Sequence, residues 1–350
     1  MAKSKYNLMA LDSGNAQVKG LTDEGECVFP HSLRPLTSKE ITNLQERGDE
    51  IDTSSNVFSV NGVYYSVGNK ALKKGSGAAL YGEARYRPDY YGILAAIAMF
   101  KAFDDSKKNV YLYGSHTPKD LIYRQDLVNS VMGNWVVSGS GVTKSFDVVA
   151  GAGFDEPVGA FRHATLGNDG KSTRGEITLR RGETLIVDVG GFTLGFSIAE
   201  DGKIDYDSSN TEVVGILDVL DNLESAIRSN FRKELKGANE LKAMRLRSAL
   251  SSGIYDAAGA GYLEVHEEVK QACDLLMRDI LQFFETYGGT TTFHSILIAG
   301  GGGALMEKYI RTNIDHPHIF VAENNRDRMH MATVMGGMKI LKILETAGKL

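Results

Sequence analysis

One pattern occurs twice in this chain and constrains its fold more than any other. An apolar strand runs into Asp-x-Gly, turns through a polar loop and returns as a second strand. The first copy is Leu8-Met9-Ala10-Leu11-Asp12-Ser13-Gly14-Asn15-Ala16-Gln17-Val18-Lys19-Gly20. The second is Leu185-Ile186-Val187-Asp188-Val189-Gly190-Gly191-Phe192-Thr193-Leu194-Gly195-Phe196. Each copy continues into an acidic-glycine tip, Asp23-Glu24-Gly25 and Glu200-Asp201-Gly202. Internal repetition fixes architecture, and here it implies two similar halves that each offer one Asp and one tight turn to a shared cleft. Glycines allow backbone N–H groups to approach a phosphate, and a strand-end Asp can hold Mg²⁺ or its waters. One such strand-end turn also occurs in ordinary hairpins; two Asp-x-Gly turns in matching positions point to a polyphosphate.

The 350 residues suit two domains of about 150 residues each rather than one core. Apolar content of 42% and charged content of 24% are those of a soluble globular chain. With 39 basic and 44 acidic residues the net charge is −5, which argues against broad, non-specific binding to nucleic acid. No apolar run reaches roughly 18 residues, so no membrane span is expected. The opening Met1-Ala2-Lys3-Ser4-Lys5 leads directly into the first strand, so no signal peptide is expected. Cys27 and Cys273 cannot build a disulfide framework or a zinc site, and a reducing cytoplasm fits them. Cys273 lies on the apolar side of a helix and is expected in the core.

Along the chain, 5–12 and 16–22 read as the first hairpin, with Val28-Phe29 a third strand. Residues 32–56 are polar and patternless and read as loop. Asn61-Gly62 joins two alternating strands across 56–67, the preferred hairpin turn. Arg85 to Arg87 lead into a helix from Pro88-Asp89 to about Phe103, with Ile93, Leu94, Ile97 and Phe100 on one face. Val110 to Tyr113 form a strand, and Thr117-Pro118 reads as the cap and first turn of a helix to about Val131. Strands follow near 134–138 and 146–150. Thr211-Glu212 reads as the opening of a helix with Val213, Ile216, Leu220, Leu223, Ile227 and Phe231 in register. A basic helix is expected over 239–251, and another over 264–287 with Val265, Val269, Ala272, Leu276, Ile280 and Phe283 as its stripe. The strand Ser295 to Ala299 empties into Gly300-Gly301-Gly302-Gly303, a strand-to-helix junction whose unpaired N–H groups suit a phosphate or nucleoside. A strand over 318–322 and a helix over 331–345 close the chain. In that last helix Gly336-Gly337 costs propensity, so close packing against a neighbour is expected. Strands alternating with helices after an initial meander give an α/β class.

In order and spacing, these loops resemble those of the actin superfamily. Leu11 to Lys19 resembles its first phosphate motif, Ile186 to Thr193 its second and Ile296 to Ala304 its adenosine motif. Phe154-Asp155-Glu156-Pro157-Val158-Gly159-Ala160 resembles its first connecting helix, and Met331-Ala332-Thr333-Val334-Met335-Gly336-Gly337 its second. The Asp-Ser-Gly-Asn opening and Arg85-Tyr86-Arg87-Pro88-Asp89-Tyr90 resemble bacterial and archaeal actin-like proteins, above all the plasmid-segregating ParM group and its Alp relatives. Two departures stand out: Phe192 where a smaller residue is common, and Tyr111 to Pro118 in place of a Gly-Leu-Pro-like turn.

The resemblance implies an actin-like ATPase fold, two RNase H-like α/β domains around a nucleotide cleft, each with a five-stranded sheet. The implied division is 1–155 with 328–350, and 156–327. It implies ATP/ADP and Mg²⁺ as cofactors, and Asp12 and Asp188 as catalytic residues that hold the metal through water. Lys19 would touch the β- and γ-phosphates, and Ser13, Gly14, Asn15, Gly190, Gly191 and Thr193 would wrap them. Gly301, Gly302 and Gly303 would face the adenosine, with Glu212 and Gly215 at the start of a helix beside it. Lys242 and Arg245 either flank the base or are solvated surface. From its local sequence Glu156 is either a solvated acid at a helix start or a water-orienting carboxylate; the resemblance favours the catalytic role. The implied partners are further copies of the chain in a filament and a DNA-binding adaptor that links the filament to plasmid DNA, without direct nucleic-acid contact. The alternatives are a small-molecule kinase of the same fold, for which no substrate-side Asp loop is seen, and a chaperone-type switch, for which no C-terminal substrate domain is seen.

Overall fold

The computed structural model describes residues 5–46, 56–68, 78–79, 88–168, 178–235 and 241–350. Of the Arg85 to Tyr90 segment, Arg85, Tyr86 and Arg87 lie outside the described residues. The chain divides into two compact units, Met1–Arg174 with Met331–Leu350, and Gly175–His330.

The first unit runs β1 (Asn7–Ser13), β2 (Gln17–Thr22), β3 (Glu26–Pro30), β4 (Ser32–Pro35), α1 (Ser38–Glu46), β5 (Val57–Val60), β6 (Val63–Val67), β7 (Ala78–Ala79), α2 (Pro88–Ala102), β8 (Lys107–His116), α3 (Arg124–Val131), β9 (Gly133–Gly139), β10 (Val142–Asp155) and α4 (Glu156–Thr165). The second runs β11 (Glu183–Val189), β12 (Leu194–Glu200), β13 (Lys203–Glu212), α5 (Ile216–Asn230), α6 (Ala243–Ser252), β14 (Ile254–Asp256), β15 (Tyr262–Glu264), α7 (His266–Thr286), β16 (Ser295–Ala299), α8 (Gly300–Asn313) and β17 (Ile319–Val321). The last helix, α9 (Ala332–Thr346), returns to the first unit.

The sequence repeat is a structural repeat. One sheet contains the order β3-β2-β1-β8-β10, and the other is β13-β12-β11-β16-β17. In both, the first three strands form an antiparallel meander and the first, fourth and fifth are parallel. Asp12 and Asp188 occupy the same position in the two copies, opposite Lys19 and Gly195 respectively. Both strands are buried almost throughout, which explains why they read as continuous apolar runs rather than alternating ones.

Several elements differ from the sequence reading. The first unit's sheet has ten strands, because the β9–β10 hairpin carries it on into β5, β6, β4 and β7. Part of the expected loop at 32–56 is β4 and α1. The helix is short of apolar positions, but Thr37 and Glu40 form a capping box, with Thr37 N donating to Glu40 Oε2 at 3.1 Å and Glu40 N donating to Thr37 Oγ1 at 3.4 Å. Arg34, nearly buried, fixes the same carboxylate at 2.9 and 2.8 Å. Thr117 stands at the expected N-cap with Pro118 after it, but its hydroxyl makes no capping bond: it donates to Asp120 Oδ2 at 2.6 Å, and the helix begins as a 3₁₀ turn over Pro118–Tyr123 that runs into α3. The basic helix begins at Ala243, later than expected.

Most positions of the expected core stripes are buried. Ile216, Leu220, Leu223 and Ile227 of α5 pack with Val265, Ala272, Leu276, Ile280 and Phe283 under the second sheet. Cys273 belongs to this core, and burial pushes its thiol up to about 12. In the first unit α4 and α9 cross with backbone contact: a Cβ on Gly336 would lie 1.7 Å from the Gly159 oxygen. Lys339, 9% exposed, donates from α9 to the carbonyl of His163 at 2.9 Å and to that of Leu166. The buried ammonium thereby satisfies carbonyls that the end of α4 leaves unpaired.

Candidate functional site

The first-unit loop is built around Asp12, which is 3% exposed at the carboxyl end of β1. Lys19 Nζ reaches its Oδ2 at 2.7 Å from the facing position on β2, and Ser115 Oγ donates to its Oδ1 at 2.9 Å from the end of β8. Both carboxylate oxygens are therefore aimed by neighbours rather than left to rotate. The turn that follows is tied down by His31, whose Nδ1 is 2.8 Å from the Gly14 carbonyl and whose N–H donates to Ala16 at 3.0 Å. Asn15 and Ser13 are buried in this turn. Ser13 Oγ is buried without a hydrogen-bond partner among the described residues.

The second-unit loop starts at Asp188, 8% exposed at the end of β11. Gly190 N–H donates to the Thr193 carbonyl at 2.8 Å, closing the turn. The carbonyls of Gly190 and Gly191 accept from Ile216 and Leu217, the first two amides of α5, at 3.1 and 2.9 Å. Gly215 precedes that helix, and its N–H donates to Asp218 at 2.8 Å. The glycine run after β16 begins α8. Gly300 has φ +80°, and a Cβ there would lie 2.3 Å from Asp188 Oδ1 and 2.3 Å from the Val189 oxygen. Only glycine gives both the left-handed backbone and the approach to Asp188. Gly302 and Gly303 are buried against Val189, Ile216 and Ile298, whereas Gly301 is exposed.

The remaining expected positions are more dispersed. Glu156 is the first residue of α4 and is half-buried. Glu212 is not at a helix start: Thr211 and Glu212 end β13, paired with Gly195 and Leu194, and α5 starts only at Ile216. Val213, assigned to the helix stripe by its spacing from Ile216, is 78% exposed between the two elements. The Glu212 carboxylate accepts from Asn210 at 2.8 Å and lines a cavity of about 430 Å³ with Asp279, Phe196 and Phe283. Lys242 is exposed just before α6, and Arg245 donates to the Asp256 carbonyl at 3.1 Å. Ser115 and His31 were missed by sequence reasoning. Neither stands in a motif, and only strand register brings them to the turn.

Each loop by itself carries features that suit a magnesium–phosphate ligand. Each ends its strand in a nearly buried carboxylate, a hard oxygen donor, and the first adds a lysine beside it and the buried Ser13 Oγ. Among the described residues no group of three or more His, Cys, Asp or Glu side chains is arranged to hold a metal. A cation bound largely by phosphate oxygens and water, as Mg²⁺ commonly is, needs no such cage.

No known family profile matches the chain, and no characterised protein sequence matches it. Solved structures do. Actin-like protein Alp7A aligns at 16% identity and TM-score 0.71, covering 98% of each chain. An archaeal actin homolog in complex with ADP aligns at 15% identity and TM-score 0.70, over 96% of this chain and 99% of its own. A ParM from Clostridium botulinum, in a 15-stranded filament, aligns at 17% identity and TM-score 0.68, over 95% of this chain and 99% of its own. The chain has the actin-like fold, and ParM and Alp proteins are among its structural neighbours. No helix among the described residues is long and apolar enough to cross a membrane.

Proposed function

We propose that this chain is an actin-like ATPase that binds ATP with Mg²⁺, assembles with copies of itself into filaments and hydrolyses the nucleotide after assembly. The observation that carries the reading is the repeated loop. Asp12 and Asp188 stand at the same position of a five-strand arrangement that both sheets contain, each before a tight turn. The neighbour with ADP and the neighbour in a filament support nucleotide use and self-assembly respectively.

In this reading Lys19 and the turn residues Ser13, Gly14, Asn15, Gly190, Gly191 and Thr193 bind the phosphates, with Ser13 Oγ donating to a phosphate oxygen. Asp12 and Asp188 would hold Mg²⁺ through its waters, and the ion when bound would supply charge neutralisation at the phosphates. Glu156 accepts a hydrogen bond from the attacking water and aims its oxygen at the γ-phosphorus. The water oxygen bonds to phosphorus, the bridging oxygen leaves with ADP, and the water's protons end on phosphate and solvent. Gly301, Gly302 and Gly303 face the nucleoside, with Gly215, Glu212, Lys242 and Arg245 as its outer boundary. The filament acts in the cytoplasm to segregate plasmid DNA through a DNA-binding adaptor, in keeping with a net charge of −5 that disfavours direct contact.

The test is light scattering after addition of Mg·ATP, with phosphate release followed in the same sample. Scattering that rises above a critical concentration and decays as phosphate appears supports the reading. Phosphate release without assembly, or neither signal, contradicts it. Glu156→Ala should assemble and release phosphate slowly, whereas Asp188→Ala should not assemble.

A further inference from the structure

The carboxyl edge of the first sheet holds a buried ionisable pair that the reading above leaves unused. His116, the last residue of β8, is fully buried, and Asp155, the last residue of β10, is 5% exposed. The parallel register sets them opposite each other, and His116 Nδ1 lies 3.2 Å from Asp155 Oδ1 and 3.0 Å from the Thr117 carbonyl. Those two acceptors place the proton on Nδ1. The neighbouring residues are the site's own: Ser115 donates to Asp12, and Glu156 follows Asp155. In parallel sheets ligands collect outside this edge.

Asp155 also breaks a local rule. It is the N-cap of α4, with the extended backbone (φ −78°, ψ 138°) that an N-cap needs, yet its side chain makes no capping hydrogen bond. An Asp there normally accepts from the helix's first turn, which is worth about 1 kcal/mol. Here the carboxylate is turned away to His116 instead. Burial raises its pKa, while His116 and Arg124 pull it back down. The backbone makes room for the pair: a Cβ on Gly153 would lie 2.7 Å from Arg124 Cγ and 3.2 Å from His116 Cδ2. A buried ionisable pair is poor value for stability alone. A rule broken at a cost, one residue before the water-orienting carboxylate, is where function is expected.

We propose that His116 and Asp155 are positioning residues that lock the first turn of α4 to the end of β8 and so fix where the Glu156 carboxylate points. This rests on the assignment of Glu156 to the attacking water. The pair acts through Glu156 and touches no substrate. It ties the water side of the site (Asp155, the end of β10, and Glu156, the start of α4) to the metal side (Ser115 on Asp12) through the last two residues of β8.

The test uses Asp155→Ala, Asp155→Asn and His116→Gln in the full chain, each accepted only if its melting transition stays cooperative. In nucleotide-free protein, amide hydrogen exchange over Glu156–Ala160 should quicken about tenfold in Asp155→Ala and return toward wild type in Asp155→Asn, whose amide oxygen still accepts from Nδ1–H. With Mg·ATP, single-turnover phosphate release should fall about tenfold in Asp155→Ala while ADP affinity stays within twofold. Unchanged exchange in both Asp155→Ala and His116→Gln overturns the proposal. So does an equal loss of affinity and turnover, which marks a merely structural role. Because exchange is read without nucleotide, a wild type that hydrolyses nothing sinks the ATPase reading and leaves the tie between β8 and α4 separately measured. If Asp155→Ala does not fold, His116→Gln carries the same two readouts.

Discussion

Gly300→Ala is the substitution that the second-unit loop should tolerate least. The new Cβ would stand 2.3 Å from Asp188 Oδ1, 2.3 Å from the Val189 oxygen and 2.7 Å from its carbonyl carbon. Ordinary contact begins near 3.4 Å, so the neighbours must give by 3.4 − 2.3 = 1.1 Å. The Val189 carbonyl belongs to a central strand, and α8 cannot slide away because Gly302 is seated on Val189 and Ile216. The Asp188 side chain must therefore move. The left-handed backbone at φ +80° adds about 1–2 kcal/mol for any residue with a Cβ. Overpacking contributes about 1–3 kcal/mol more. For a unit of this size each kcal/mol lowers the melting temperature by roughly 2–4 °C. An error of about 1 Å in a positioned group can cost on the order of 100-fold in function. The expected outcome is a clear fall in melting temperature and at least a tenfold (~1.4 kcal/mol) loss of Mg·ADP affinity. Thermal melting and fluorescence polarisation of a labelled ADP measure the two. Gly259→Ala, in the same unit and with nothing within 4 Å of the added Cβ, is the matched control. If Gly300→Ala melts and binds like Gly259→Ala, the argument that this glycine makes room for Asp188 is wrong.

Other consequences follow from the same structure. Gly336→Ala should destabilise the first unit although it raises helix propensity by about 1 kcal/mol, because its Cβ would fall 1.7 Å from the Gly159 oxygen; an unchanged urea midpoint would refute this. Lys339→Met keeps the side chain's bulk but removes both ammonium hydrogen bonds to the His163 and Leu166 carbonyls, and should cost about 1–3 kcal/mol by denaturant unfolding. Burial and the nearby Glu212 hold the Asp279 carboxyl above its ordinary 3.8. The folded state thus binds that proton more tightly than the unfolded chain, a contribution that favours the fold at low pH and is lost as pH rises through the raised value. Asp279→Asn should accordingly be more stable than wild type near neutral pH and lose that advantage below 3.8; equal pH profiles would contradict it.

What the sequence made legible, and what it hid, follows from the range of the interactions. The two hairpins could be read because Asp12 and Asp188 close apolar strands and precede glycine turns within a few residues. The core helices could be read because burial imposes a period, as it does for Ile216, Leu220, Leu223 and Ile227 on α5. That period misled at the end of β13, where Val213 lies at the right spacing from Ile216 yet is exposed. The strand extends that far because it pairs with β12 down to Glu212, a long-range fact. Helix α1 was overlooked because its signal is polar, a capping box at Thr37 and Glu40 rather than a stripe. The ten-stranded sheet, Ser115 beside Asp12 and His116 beside Asp155 all depend on pairing between strands distant in sequence. No local pattern encodes that register.

The central claim is that Asp12 and Asp188, one from each repeat, serve a single nucleotide. Isothermal titration of Mg·ADP into the wild type, Asp12→Ala and Asp188→Ala measures this directly. The account predicts one nucleotide per wild-type chain and at least a tenfold (~1.4 kcal/mol) loss of affinity in each variant. Two sites per chain, or binding that survives either substitution undiminished, would contradict it.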